Sequence, residues 1–156
     1  MKIRKIAQTP GLVATVVDNL TSTSSTDALS ANQGRILNEK INTGFSYSTN
    51  ETLTGGTWIN GKPIYRKVVY IGSLPANTAS FFSHNISNID RVVNSSMTWF
   101  DTADNCWWSN RRWDSATINI AYNVDSTQIW IGARGVNWST RTNQAYVTIE
   151  YTKTTD

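Results

Sequence analysis

The sequence is poor in several things, and each shortage removes a class of answer. It has one cysteine, Cys106, so it has neither an internal disulfide nor a cysteine-built zinc site. Charged residues make up 16% of the chain, against about a quarter in ordinary globular proteins. No apolar run approaches the ~20 residues of a membrane span, so no membrane insertion is expected. Ala, Glu, Lys and Leu do not dominate, which excludes a coiled-coil rod. The net charge is +3 and the pI about 9.1, yet no block of five or six basic residues exists, so no nucleic-acid partner is expected. Met1-Lys2-Ile3-Arg4-Lys5 begins like a secretory leader but is not followed by an apolar core, so synthesis in a cytoplasm without export by that route is the expectation.

Ser, Thr and Asn fill the space that charge leaves, with 53 of the 156 residues. Aromatic residues are 11%, including seven Trp, which argues against disorder in the Trp-rich part. Thr, Tyr, Trp, Val and Ile suit pleated surfaces, and Asn, Ser and Gly suit the turns between them. The composition is that of a polar β-protein.

Three segments differ in texture. Residues 1–26 join a basic start to a short apolar stretch and the run Thr21-Ser22-Thr23-Ser24-Ser25-Thr26. Nothing there builds a core, and an extended N-terminal arm is expected. Residues 27–44 carry a helix. Ser30 is placed as its N-cap, Gln33 completes a capping box by reaching back, and Gly44 lies just past its end. A helix this short is marginal alone, so its stripe must be covered. Ser30, Gly34, Leu37 and Ile41 form a seam that is small at one end and aliphatic at the other. The seam packs either on its own domain or on copies of itself around a symmetry axis; with no folded domain beside it in sequence, self-association is favoured.

Residues 45–156 read as strands and turns. Trp58-Ile59-Asn60-Gly61-Lys62-Pro63-Ile64-Tyr65 predicts a hairpin around Asn60-Gly61. Strands follow at Ile64–Ile71, Ala79–Ile86, Arg91–Phe100, Thr117–Val124, Thr127–Arg134 and Ala145–Thr152, with Asp125-Ser126 as a tight turn. Strict alternation marks Ile118, Ile120, Tyr122, Val124 and Val147, Ile149, Tyr151. The expected fold is mainly β: an arm and one helix, then an antiparallel, jelly-roll-like β-sandwich.

Two stretches resemble a known family. Asp18 to Leu37, D-N-L-T-S-T-S-S-T-D-A-L-S-A-N-Q-G-R-I-L, resembles the repeat unit of bacteriophage fibres, notably the trimeric head fibres of short-tailed phages. Thr57 to Lys67, T-W-I-N-G-K-P-I-Y-R-K, is similar to the opening of a β-module at the C-terminal end of phage virion proteins. The resemblance implies a virion appendage, on head or tail, made in the host cytoplasm. It implies a homotrimer, a helical collar over 27–44 rather than a long stalk, and attachment to a capsid or tail protein through residues 1–17, with a distal β-domain at 45–156.

The chemistry available to that domain favours binding over catalysis. His84 is the sole histidine, and Ser83 beside it on a strand points to the other face. Asp101-x-x-Asp104-Asn105 lacks calcium-loop spacing, and Asx-turns are the plainer reading. No metal or cofactor is expected. The stretch from Trp99 to Asp114 is dense in aromatic and polar groups. Trp107, Trp108, Arg111, Arg112, Trp113 and Asp114, joined by Trp138, are the candidate ligand-binding residues. Indole faces stack on the C–H faces of sugar rings, while carboxylate, amide and guanidinium groups bind hydroxyls. Parity places Trp99 in the core, puts Trp107 and Trp108 on opposite faces, and turns Trp130 outward or into a chain–chain interface. The expected function is a structural appendage that binds a host-surface glycan. A purely structural decoration protein and a glycan-degrading enzyme are the alternatives.

Overall fold

The computed structural model describes residues 15–25, 27–44, 46–110, 112–113 and 119–156. Lys2, Arg4, Lys5 and the rest of the proposed attachment arm up to residue 14 lie outside the described residues. The chain divides into two compact units, Met1–Asn42 and Thr43–Asp156.

In the first unit, β1 (Val16–Val17) pairs in parallel with β2 (Ala28–Leu29), and α1 (Ala31–Gly44) follows. The described part of residues 15–29 is therefore a closed loop tied to the helix, not a lone extended arm. Polarity of sequence explains the closure. Asn19 and Ser22 fold the loop by accepting the backbone N–H groups of Thr21 and Ser24. Asp18 then anchors it: its carboxylate accepts the Ser30 hydroxyl and the Asn32 amide. The Ser30 bond first, then that from Asn32, holds the Asp18 carboxyl below its ordinary pKa. Ser30 is the N-cap, its Oγ accepting the Gln33 N–H at 3.1 Å. The capping box is only half made. Gln33 Nε2 donates to Asp18 O at 3.0 Å, because the Ser30 N–H is already spent on Val17 O. Gly44 is the last helical residue and does not lie beyond the end.

The second unit holds two antiparallel sheets. The five-stranded sheet has the order β3 (Thr52–Thr57), β4 (Pro63–Tyr70), β11 (Thr142–Lys153), β6 (Ile89–Asp101), β7 (Cys106–Ser109). The four-stranded sheet has the order β5 (Ala79–Ser83), β10 (Gln128–Arg134), β9 (Asn119–Val124), β8 (Arg112–Trp113). A short helix, α2 (Trp138–Arg141), precedes β11. The expected hairpin forms, but its strands end at Thr57 and begin at Pro63, so Trp58 and Ile59 belong to the loop rather than to a strand. Gly61 supplies the left-handed backbone, with φ +84°, that a side chain would strain. Among the described residues five asparagines, Asn77, Asn85, Asn88, Asn105 and Asn110, also adopt positive φ. Asn tolerates that region better than other residues with a Cβ, so the Asn-rich composition builds turns. Asp125 closes β9 to β10 as expected, its Oδ1 accepting the N–H groups of Thr127 and Gln128.

The core lies between the sheets. Met97 and Trp99 of β6 and Ala145, Val147, Ile149 and Tyr151 of β11 cluster with Ile120 of β9 and Ile129, Ile131 and Ala133 of β10. These are the alternate residues of each strand, as period-2 patterning requires. Each large aliphatic side chain contributes about 1.5–3 kcal/mol on burial. Tyr122 ties the two sheets, donating its hydroxyl to Ser95 O at 2.8 Å.

His84 is a buried structural residue. Its Nδ1 accepts the Ile86 N–H at 3.1 Å, so the proton sits on Nε2 and faces Asp125 O at 3.3 Å. Burial pushes its pKa below the ordinary 6.5, offset in part by the Asp125 carbonyl. The unfolded chain binds this proton near pH 6.5, and the folded ring takes it up only at lower pH. Its contribution to stability is therefore complete above about pH 6.5 and is lost as pH falls toward the lower folded value. Melting temperature should decline between about pH 7 and about pH 5, and the decline should flatten in His84→Gln. Parallel profiles for the two proteins would assign the acid sensitivity to other groups.

Candidate functional site

The aromatic and polar stretch from Trp99 to Asp114 holds most of the candidate ligand-binding residues. The fold divides it between both sheets. Trp99 and Phe100 lie on β6, and a turn over 102–105 leads into β7, which pairs back on β6 with Phe100 opposite Trp107 and Trp99 opposite Trp108. At Asn110 the chain leaves that sheet. Asn110 has φ +60°, donates its N–H to Met97 O at 2.6 Å and accepts the Met97 N–H at 3.1 Å. The backbone of Arg112 and Trp113 forms β8 at the edge of the four-stranded sheet. Arg111 and Asp114 lie outside the described residues. Of the candidate residues that are described, Trp107 and Trp108 therefore belong to one sheet, and the backbone of Arg112 and Trp113 to the other.

Trp107 and Trp108 take opposite faces, as parity requires. Trp107 is 56% exposed. Its ring stands beside that of Phe100, with centroids 5.5 Å apart and planes at 55°. Trp108 packs against the core cluster, so it is a poor ligand-stacking residue. Trp138 requires a clear correction. It is fully buried, its Nε1 donating to Arg134 O at 3.2 Å, and the Arg141 guanidinium lies 5.1 Å over its ring. Sequence spacing alone does not show that α2 folds this indole inward.

The turn at 102–105 is rigidly held. Asp101 is completely buried, yet its carboxylate accepts two bonds from Arg141: Nε to Oδ1 at 3.1 Å and Nη2 to Oδ2 at 2.8 Å. Asp101 Oδ1 also accepts the Ala103 N–H at 3.0 Å, and Arg141 Nη2 lies 3.2 Å from Asp104 Oδ1. The Asx-turn is as expected, but the carboxylate is buried rather than solvated. It fixes the β6–β7 corner on which Trp107 stands. Cys106 is half-buried and has no disulfide partner.

The outer face of the five-stranded sheet carries more aromatic surface than the Trp pattern suggested. Tyr146 of β11 stands opposite Tyr70 of β4, with ring centroids 5.2 Å apart, and Tyr70 is exposed. With Phe100 and Trp107 these rings make a band across β4, β11, β6 and β7. The signal available in sequence was the parity of Tyr146 against buried Val147. Among the described residues no three His, Cys, Asp or Glu side chains are placed to hold a metal ion.

On α1, Leu37 is 42% and Ile41 52% exposed, and a Cβ at Gly34 would meet nothing. Val16, Leu20 and Leu29 of the same unit are exposed too. Ser30 is engaged with Asp18 and with the helix it caps.

No helix among the described residues is long and apolar enough to cross a membrane. A comparison with curated proteins finds no match. Residues 16–49 match the family of phage tail fiber repeats, a span that takes in β1, the Asp18-anchored loop, β2 and α1. That match supports a phage fibre protein, with a structural role as a component of the virion.

Proposed function

We propose that the protein is a homotrimeric phage appendage whose β-sandwich adheres to a glycan of the host surface, without catalysis, and whose N-terminal residues 1–17 attach it to a capsid or tail protein. The observation that carries the adhesive role is the exposed Trp107, packed on half-buried Phe100, on a corner held by the Asp101–Arg141 clamp. A rigid scaffold with an aromatic platform at its edge is a common arrangement for recognition. The lone histidine gives both ring nitrogens to backbone groups, which suits a structural part better than a catalytic one. A shallow stacking site reaches about millimolar affinity, near −4 kcal/mol. Three copies on one axis raise the apparent affinity by about 10²–10⁴.

Trp107→Ala should cost only about 1 kcal/mol of unfolding free energy, because more than half of the side chain is exposed and its main loss is the contact with Phe100. Particles carrying it should adsorb to host cells about tenfold less well or worse, because a small loss per site is multiplied across copies. Unchanged adsorption would favour a purely structural decoration role.

The trimer rests on α1. An exposed aliphatic stripe on a helix too short to stand alone needs a partner, and the fibre-repeat match favours copies of the same chain. Sedimentation equilibrium should give three times 17.4 kDa. Leu37→Asp should shift the population toward monomer, since a buried unpaired charge costs several kcal/mol. A wild-type monomer at all concentrations would refute the assembly.

A further inference from the structure

We propose a second sugar-binding site, on the outer face of the four-stranded sheet, that takes one acidic sugar residue with Trp130 as its platform and Arg134 as its anion-pairing group. It rests on the reading of the sandwich as glycan-adhesive and names a substrate class for it.

Trp130 lies on β10, the strand that pairs with both β5 and β9. It alternates with buried Ile129 and Ile131, so its half-buried side chain belongs to the outer face. The indole lies across Gly132. A Cβ at that position would come within 2.5 Å of Cη2 and 2.7 Å of Cζ2 of the ring. Glycine is thus required for the ring to lie against the sheet. Ala79 and Ala121 stand opposite Gly132 on the two neighbouring strands. Beside the indole this leaves a groove of about 430 Å³, lined also by Asn77, Thr78 and Arg134. That volume lies within the ~300–1,000 Å³ range of small-ligand sites.

The lining chooses the ligand. An indole face attracts the weakly positive C–H edges of a pyranose. Asn77 Oδ1 accepts the Gly135 N–H at 2.8 Å, which orients the amide and leaves its nitrogen to donate to a hydroxyl. Arg134 is exposed, and among the described residues it is the sole charged residue lining the groove and no carboxylate pairs with it. An exposed guanidinium beside an aromatic platform complements a sugar carboxylate, to which it offers a two-pronged hydrogen bond.

The test is binding of the full-length trimer to an array of matched oligosaccharides, each uronic- or sialic-acid member printed beside its neutral counterpart. The expected result is that at least one acidic member binds about tenfold more strongly than its neutral match, and that added salt erodes the difference. Trp130→Ala and Gly132→Val should abolish that binding. Arg134→Gln, a surface change, should bring the acidic and neutral members level. Equal binding of both members, or a preference that survives Arg134→Gln, would overturn the proposal. Binding lost in Trp107→Ala but kept in Trp130→Ala would overturn this site and leave the adhesive reading standing. No binding at all, with adsorption also indifferent to Trp107, would remove both. Conversion of the trimer to monomers by Trp130→Ala would assign the ring to a chain–chain contact and overturn the site.

Discussion

Replacing Asp101 with Ala should cost about 3 kcal/mol of stability, although Asp101 sits beside a surface turn. The carboxylate is fully buried and accepts a two-pronged bond from Arg141 as well as the Ala103 N–H. Removing one partner of such a pair usually costs about 3–5 kcal/mol, because the other charge stays in a poorly solvated place. The lower end applies here. The Arg141 side chain keeps 22% exposure, and Asp104 remains 3.2 Å away as a countercharge. At roughly 4 °C per kcal/mol for a domain of this size, the melting temperature should fall by about 12 °C. Thermal unfolding followed by circular dichroism measures it. A shift below about 3 °C would mean that the pair is effectively solvated and does not hold the corner. Because Trp107 stands on that corner, the proposed adhesive role predicts that the variant also adsorbs less well at temperatures where it is still folded.

Trp138→Ala should cost about 3–5 kcal/mol, the usual range for deleting a buried Trp. That is a large share of a net stability of about 5–15 kcal/mol. The whole indole is removed from a core that cannot refill the space, and Arg141 loses the ring it lies over. Urea unfolding should show a lower midpoint with an unchanged slope. The effect should not add fully to that of Asp101→Ala, since Arg141 touches both residues. A double variant less destabilised than the two single changes combined would demonstrate the coupling. A mild effect of Trp138→Ala together with lost glycan binding would return this residue to the binding surface.

These two residues mark where reading along the chain stops working. Asp101 sits in a polar, turn-rich segment, and nothing local distinguishes a solvated Asx-turn from a buried one. The difference is made by Arg141, forty residues away, carried there by α2. Trp138 lies in a run without alternation, and a four-residue helix leaves too little periodicity to show which side faces in. Trp107 and Trp108 were easier. Adjacent residues on a strand must face opposite ways, and only their assignment to sheet or loop was missing. The short β7 was hidden because four residues carry too little pattern, and it exists by pairing with β6.

Local chemistry is enough to determine much of this protein. Alternation in Val147, Ile149 and Tyr151 and in Ile120, Tyr122 and Val124 settles the strands and their inward faces, because the side-chain period of a strand is two. Asn-Gly and Asp-Ser settle two turns, because their preferences act within four residues. Ser30 settles the start of α1, for the same short-range reason. Tertiary structure alone decided that residues 16–29 close on Asp18, that Gln33 serves that loop instead of its own cap, and that the stretch from Trp99 to Asp114 is shared between two sheets. It also decided that Trp138 is core, and that Trp107 rather than Trp108 is the exposed member of its pair. Each of these depends on groups brought together from distant parts of the chain, whose pairing free energy appears only after the backbone entropy of closing the intervening loop has been spent.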